Sequence, residues 1–473
     1  MFQHAFETIQ VTQWLMAVFM GVLAVFSLLH LRWLWQSVDD KKQLLIPLLI
    51  LIIGIVVRLW WIDITQPQPV SDFKRHWEYA SAFTHGDMQF THPAKHPGIM
   101  LIYSFAMTFF GVSLNSIWLA NMFFAILMLV FTYGLCLKIF GVKNYPVALL
   151  SMTIMALHPQ LVSYTAIAAT EIATLALMLL ITWSMLETRD TQKSIAYWVG
   201  LGILIYGTAM VRSTTLLYLP LMMLLILLFR RDQLVFFCKR FIVMLLTTSL
   251  LMSTWLYHQY LIGGQFKLYY GSELWLAMAV QYNRGSRFTD LSTMHSYPAF
   301  RDDYNSADPK RQIHAFHLIG EEAGKIVADN PRRYLSKSFV KLKNMFKAAQ
   351  SGVRWCRQGS SIIYDHVSKR FINRLCRVAN LSWLILLFAS LPGLFFLARR
   401  QKPNEARPEA HEAAILIGVF TGVWVVFHYL VSYANERYAV QLFPYIAILA
   451  AFAVVTAIRA LWESYLSFRP APE

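Results

Sequence analysis

The chain has 473 residues, 57% of them hydrophobic and only 14% charged, with a formal net charge of +16. That apolarity, gathered into long blocks, excludes an ordinary soluble domain. The positive charge sits on the junctions between blocks, which directs it toward anionic lipid headgroups or anionic substrates and not toward nucleic acid.

The blocks run roughly 17–25 residues, the length at which a helix crosses about 30 Å of hydrocarbon. Spans are predicted at 11–35, 44–64, 116–137, 145–161, 167–186, 195–211, 214–229, 241–262, 379–398, 412–432 and 438–458. The chain is thus expected to be an all-α polytopic membrane protein with about eleven transmembrane helices. Met1–Gln10 carries no Lys or Arg, so the first block reads as a retained span and not as a cleaved signal.

Alternate junctions carry Arg32/Lys41/Lys42, Lys138/Lys143, Arg189/Lys193, Arg230/Arg231/Lys239/Arg240, Arg399/Arg400/Lys402/Arg407 and Arg459. The opposite short junctions hold Arg212 and Arg437 singly. By the positive-inside rule the basic junctions face the cytoplasm, and 65–115 and 263–377 lie outside. The apolar stretch Pro97–Phe110 is short for a span, and counting it as one reverses every later helix; it is expected to be interfacial or re-entrant. Before it, Phe73, Trp77, Ala80 and Phe83 recur at helical spacing opposite Lys74, Arg75 and Glu78, the pattern of a surface helix. In the large outer loop, Asn330-Pro331 opens a second amphipathic helix, with Tyr334, Phe339, Leu342, Met345 and Phe346 on one face and Lys337, Lys341, Lys343 and Lys347 around it. Cys356 and Cys376 share that loop, where a disulfide and two thiols are equally open.

Candidate chemistry gathers on the outer side. Asp72 stands where bilayer meets water, placed either to deprotonate a hydroxyl or to cap the surface helix. Glu78 is six residues on and points elsewhere, so no second carboxylate accompanies it for a retaining mechanism. Lys95 and His96 lie in a proline-bounded loop, where a lysine can neutralise a leaving phosphate or meet headgroups. Glu171, near the outer end of a span, is costly there and marks a functional site or a structural ion pair. Arg58, Arg212 and Arg437 lie near the same level and can reach a phosphate, with snorkelling the alternative for Arg58; Glu436 is placed to neutralise Arg437. The histidines His76, His85, His92 and His96 read as interfacial. No motif calls for a cofactor, and no HExxH or Cys/His pair supports a divalent cation, which stays open.

These residues resemble a known family. Arg58, Ser71-Asp72 with Tyr79-Ala80, Lys95-His96-Pro97-Gly98, His158-Pro159 with Thr170-Glu171, Met210-Val211-Arg212, Asn330-Pro331-Arg332-Arg333-Tyr334 and Glu436-Arg437-Tyr438 with Pro444 follow the order seen in GT-C glycosyltransferases. The chain is similar to the glycosyltransferase family 39 branch, with protein O-mannosyltransferases and the lipid A aminoarabinose transferase as relatives. The resemblance implies an extra N-terminal helix over 1–43 and a catalytic transmembrane module over 44–262 that includes the outer loop 65–115. An outer loop region over 263–377 and C-terminal helices over 378–473 complete it. It implies an inverting transfer of a sugar from a polyprenyl-phosphate donor to a hydroxyl acceptor (a cell-envelope lipid, polysaccharide or protein) at the periplasmic face of the bacterial inner membrane. Asp72 is then the catalytic base; Lys95, Arg58, Arg212 and Arg437 contact the donor phosphate; Glu171, Tyr79, His96 and Tyr438 contact substrate. The chain departs from many relatives in having Ser71 and Phe73, not a second acid, beside Asp72. It also has the extra first span and no soluble C-terminal domain after the last one. Two competing functions are an O-antigen ligase or polymerase, which would use loop residues such as His314 and His317, and a non-enzymatic lipid or sugar transporter, whose polar residues belong at mid-bilayer.

Overall fold

The computed structural model describes residues 2–87, 93, 95–271, 273, 274, 276, 277, 297–304, 306, 308–358, 368–399, 408–430 and 436–467. Among them the secondary structure is helical throughout. The helices are α1 (Phe2–Ser37), α2 (Leu45–Thr65), α3 (Ser71–Thr84), α4 (Gly98–Phe110), α5 (Leu114–Phe140), α6 (Tyr145–Leu157), α7 (Pro159–Thr165), α8 (Glu171–Glu187), α9 (Ile195–Val211), α10 (Tyr218–Phe229) and α11 (Leu234–Gly263). They continue with α12 (Tyr297–Asp303), α13 (Pro309–Asp329), α14 (Pro331–Lys347), α15 (Ser351–Gln358), α16 (Lys369–Arg399), α17 (Pro408–Leu430), α18 (Glu436–Ala439) and α19 (Phe443–Ser467).

Seven helical stretches among the described residues are long and apolar enough to cross a membrane, and an eighth counts if α6 and α7 form one bent span. The sequence expectation of about eleven is therefore not reached by length and composition. The expected spans near 195–211 and 214–229 are apolar but short. The one expected at 167–186 starts as helix only at Glu171. The helices nonetheless alternate in direction, and their ends sort by charge. Glu187 binds Lys138 at 3.0 Å and Lys193 at 3.2 Å, while Glu412 binds Arg230 at 3.1 Å and Arg189 at 3.8 Å. Arg459 donates to Asn144. The basic junctions thus share one end of the bundle. Arg400, Lys402 and Arg407, like His92, lie outside the described residues.

Two expected surface helices pack differently from their sequence pattern. In α3, Phe73, Ala80 and Phe83 are buried against α4 and not turned toward lipid. Helix α4 is itself enclosed by α3, α5 and α9, with only one edge, including Phe105 and Phe109, open. The amphipathicity of α3 therefore records packing on the short apolar helix α4. In α14, Phe339 is exposed while Tyr334 and Met345 are buried against α17 and α18. Lys341, expected on the polar rim, is also buried, and its Nζ donates to the Tyr334 hydroxyl at 3.2 Å. Cys356 and Cys376 are not joined by a disulfide.

Arg58 is the clearest correction. It was expected at a phosphate, but its guanidinium is fully buried beside the break between α6 and α7, where the chain bends by 57°. Pro159 has no N–H to give to the Met155 carbonyl, and the next amide, Gln160, turns to the His158 ring. The Met155 and Ala156 carbonyls are left without their helical donors, and a buried carbonyl needs one. Arg58 supplies them, through Nη2 to Met155 at 3.1 Å and Nη1 to Ala156 at 2.7 Å. Its third bond is to the Gly54 carbonyl of its own helix at 2.9 Å. Arg58→Met is expected to lower stability by about 1–3 kcal/mol for each stranded carbonyl. Thermal unfolding in detergent checks this, with polyprenyl-phosphate affinity of the folded fraction expected to stay at the wild-type value.

Candidate active site

At the end of the bundle opposite the basic junctions lies a cavity of about 590 Å³. Its polar part is lined by Asp72, His76, Lys95, His96, Arg212 and Arg437, and its apolar part by Leu216, Leu217 and Pro220 facing Val423, Trp424 and Phe427. Tyr438 and His428 also face it.

Asp72 owes its position to an abrupt exit from α2. Gln66 closes that helix in the left-handed region at φ 33°, Pro67 and Pro69 bracket the link, and Ser71 takes φ 51° at the entry to α3. A non-glycine residue at positive φ costs energy, and such residues gather at functional sites. The helix cap is Val70, so the capping role open to Asp72 in the sequence is not the one it takes. Its carboxylate instead receives Lys95 Nζ on Oδ1 at 2.6 Å and Arg437 Nη1 on Oδ2 at 2.9 Å. Burial pushes the Asp72 pKa up, but the attraction of Lys95 and Arg437 outweighs it and holds the group well below the usual carboxylate range.

Arg437 joins two carboxylates. Its Nε and Nη2 donate to Glu171, and its guanidinium lies 4.5 Å from the centre of the Trp355 ring. Glu171 is completely buried, whereas the Asp72 side chain is 26% exposed; only Asp72 can meet an acceptor from the cavity. Glu171 opens α8, where the helix N-terminus favours a carboxylate. It also faces Arg212 Nη1 at 3.5 Å. Arg212 is further held by Thr170 at 3.1 Å and, with the Gln441 amide turned so that its oxygen faces the guanidinium, by that oxygen at 2.8 Å from Nη1 and Nη2.

Glu171 is carried by a non-helical segment, 166–170, that has buried carbonyls to satisfy. Side chains do so one by one. Trp118 donates to Ala166 at 3.0 Å, Asn121 to Thr165 and Ile167 at 3.1 and 2.8 Å, and Tyr103 to Ala169 at 3.0 Å. His76 Nδ1 bonds to Ala168 at 2.7 Å. Burial, reinforced by Lys95, lowers His76 to about 4, so its ring is neutral and donates from Nδ1. His96 is lowered to about 4 for the same two reasons and lies edge-on to Tyr269 at 5.0 Å. Gly98 lets α4 begin in direct contact with the last turn of α9: a β-carbon there would sit 2.6 Å from the Val211 amide nitrogen. Lys95, just before this contact, and Arg212, just after it, both line the cavity.

Of the residues singled out in the sequence, Asp72, Lys95, His96, Arg212, Arg437 and Tyr438 line the cavity, and Glu171 stands directly behind it. Arg58 and Tyr79 do not line it; Tyr79 lies against Phe83 on α3. His76, set aside in the sequence as interfacial, lines the cavity, and its spacing of four from Asp72 on one helix face was the available signal. Trp355, Gln441 and Trp424 carried no such signal. His314 and His317, the residues of the ligase-like alternative, border a separate groove near the end of α11. Among the described residues, no three His, Cys, Asp or Glu side chains gather as a metal-binding group.

Residues 91–258 match the family model for dolichyl-phosphate-mannose-protein mannosyltransferase. That segment contains Lys95, His96, Glu171 and Arg212 but not Asp72 or Arg437. No curated protein matches the chain in sequence. Among solved structures, the chain is similar to the archaeal oligosaccharyltransferase AglB of Archaeoglobus fulgidus in complex with an inhibitory peptide and a dolichol-phosphate. The TM-score is 0.50 at 11% identity, over 92% of this chain and 53% of that one. ArnT from Cupriavidus metallidurans, bound to undecaprenyl phosphate, aligns at TM-score 0.41 and 13% identity, over 88% of this chain and 78% of that one. The chain thus spans about half the length of the oligosaccharyltransferase it matches. In fold the chain is a GT-C-type membrane protein, all-helical among its described residues, whose central segment carries the dolichyl-phosphate-mannose-protein mannosyltransferase signature.

Proposed function

We propose that the chain is an inverting glycosyltransferase that moves a sugar from a polyprenyl phosphate to a hydroxyl acceptor at the periplasmic face of a bacterial inner membrane. The acceptor class is a cell-envelope lipid, polysaccharide or protein. The observation that carries this is one accessible carboxylate flanked by two cations at the polar end of a cavity whose other end is apolar. The family signature and the dolichol-phosphate carried by the structural neighbour favour the same donor chemistry.

In this reading the polyprenyl chain lies between Leu216–Pro220 and the Val423–Phe427 face of α17. The phosphate meets Lys95, Arg437 and Arg212. Asp72 accepts the proton of the acceptor hydroxyl as its oxygen bonds to the anomeric carbon. The carbon–oxygen bond to phosphate breaks on the opposite side, and the phosphate departs with the bonding pair as polyprenyl phosphate. The cations stabilise the charge that grows on it. Among the described residues Asp72 is the lone carboxylate lining the cavity, which fits single displacement; a retaining enzyme needs two about 5 Å apart. Glu78, the next acid on α3, pairs with Lys74 at 3.6 Å on the exposed face. The ionic groups sit at one end of the bundle, not at its middle, which favours an enzyme over a transporter.

Asp72→Asn is expected to cut sugar transfer by the folded fraction by about 10²–10⁴-fold, the usual worth of a general base, with expression retained. Retained turnover would reject the assignment. A pH profile gives an independent check. Because the folded Asp72 is held below its ordinary value, it stays ionised as pH falls, and kcat/KM should show no acid limb near the free-Asp value of about 3.9. Lys95→Met removes one of the two attracting cations, so its acid limb should move to higher pH. An unshifted limb in that variant would argue against Asp72 as the titrating base.

A further inference from the structure

We infer that Asp72 and the donor phosphate compete for the same two cations, Lys95 and Arg437, so that binding of the phosphate is the event that releases the base. The inference rests on the proposed function and adds to it an order of events.

Both carboxylate oxygens of Asp72 are engaged, one by Lys95 at 2.6 Å and one by Arg437 at 2.9 Å. Those are the cations that face the cavity beside it. Lys95 carries its charge on one ammonium, with one of that group's three N–H donors on Asp72, and Arg437 directs two donors to Glu171 and one to Asp72. A phosphate oxygen entering the cavity meets the Lys95 ammonium and the Arg437 Nη1 edge beside Asp72 and shares their charge with it, so the two anions compete for one pair of cations. Glu171 is fully buried behind Arg437 and keeps the guanidinium in place while this happens. The remaining polar groups around Asp72 do not replace the lost partners. His76 on α3 is neutral and committed to Ala168, and Arg212 is held by Glu171, Thr170 and Gln441. With its cations drawn to the phosphate, Asp72 becomes a stronger proton acceptor in the complex than in the empty site. In the empty site the paired carboxylate is a poor base, which protects against activating a hydroxyl before a donor is present.

The probe is undecaprenyl phosphate, titrated against purified protein in detergent. A ligand whose site is free in only a fraction of molecules binds more weakly by that fraction, so removing the competitor tightens binding. Asp72→Asn is expected to bind undecaprenyl phosphate about tenfold more tightly than wild type, as if the cations were free in roughly a tenth of molecules. Asp63→Asn makes the same charge change on the exposed face of α2, outside the cavity lining, and is expected to bind as wild type. Equal or weaker binding by Asp72→Asn overturns the competition while leaving the base assignment intact if transfer is lost. Tightening in both variants also overturns it, because general charge then accounts for the effect. Retained transfer by Asp72→Asn overturns the base assignment instead. A structure of the wild-type protein with undecaprenyl phosphate is the second measurement, and it needs no variant to fold. At least one of the two Asp72 ion pairs is expected to open onto the phosphate, and finding both intact beside a bound phosphate refutes the proposal.

Discussion

Arg437 is the side chain on which the site depends. It stands between Asp72, 365 residues away in the chain, and Glu171, 266 residues away, and it binds both. Removing two carboxylates and a guanidinium from water is costly, and such groups are tolerated only when each meets a partner. Here Glu171 binds two arginines, Arg437 binds two acids, and Asp72 binds two cations. The requirement that each be matched draws α3, α8, α18 and the end of α9 to one point. His76 on α3 also bonds the Ala168 carbonyl just ahead of Glu171, so the two acids are held together by the backbone frame as well as by Arg437.

The frame that holds this network is made of backbone groups needing partners. Segment 166–170 leaves the helical ladder in a buried place, and Trp118, Asn121, Tyr103 and His76 each give a donor to one of its carbonyls. Arg58 does the same for the break before α7. The two irregular stretches on either side of α7 are thereby fixed, and Glu171 is set at the mouth of α8 with little freedom. Precise placement matters for a charge cluster, since an ion pair weakens quickly with distance and misalignment. The polar framework and the ionic site are one construction.

Electrostatics then separates the two acids. Glu171 is sealed and orients Arg437; Asp72 is reachable from the cavity and faces the cations. Three cations stand against two carboxylates, which leaves the cluster with one positive charge in excess. Beyond them the cavity turns apolar between Leu216–Pro220 and the Val423–Phe427 face.

Much of this was legible in one dimension. Blocks of apolar residues, alternating basic junctions and ionisable residues at the opposite ends follow from the cost of moving each side chain into hydrocarbon. That cost belongs to the residue itself, so the sequence alone determined a helical membrane protein and nominated Asp72, Lys95, Glu171, Arg212 and Arg437 for one side. It did not determine partners. Arg58 is an arginine at the end of an apolar block, as Arg212 is, and only the bend at Pro159 reveals the carbonyls it serves. The apolar face of α3 has the period of a membrane-surface helix, and only α4 lying beneath it shows that protein fills the place of lipid. Hydropathy and charge report how a residue interacts with solvent; which carboxylate a cation meets is decided by packing between segments hundreds of residues apart, and that information exists only once the chain is folded.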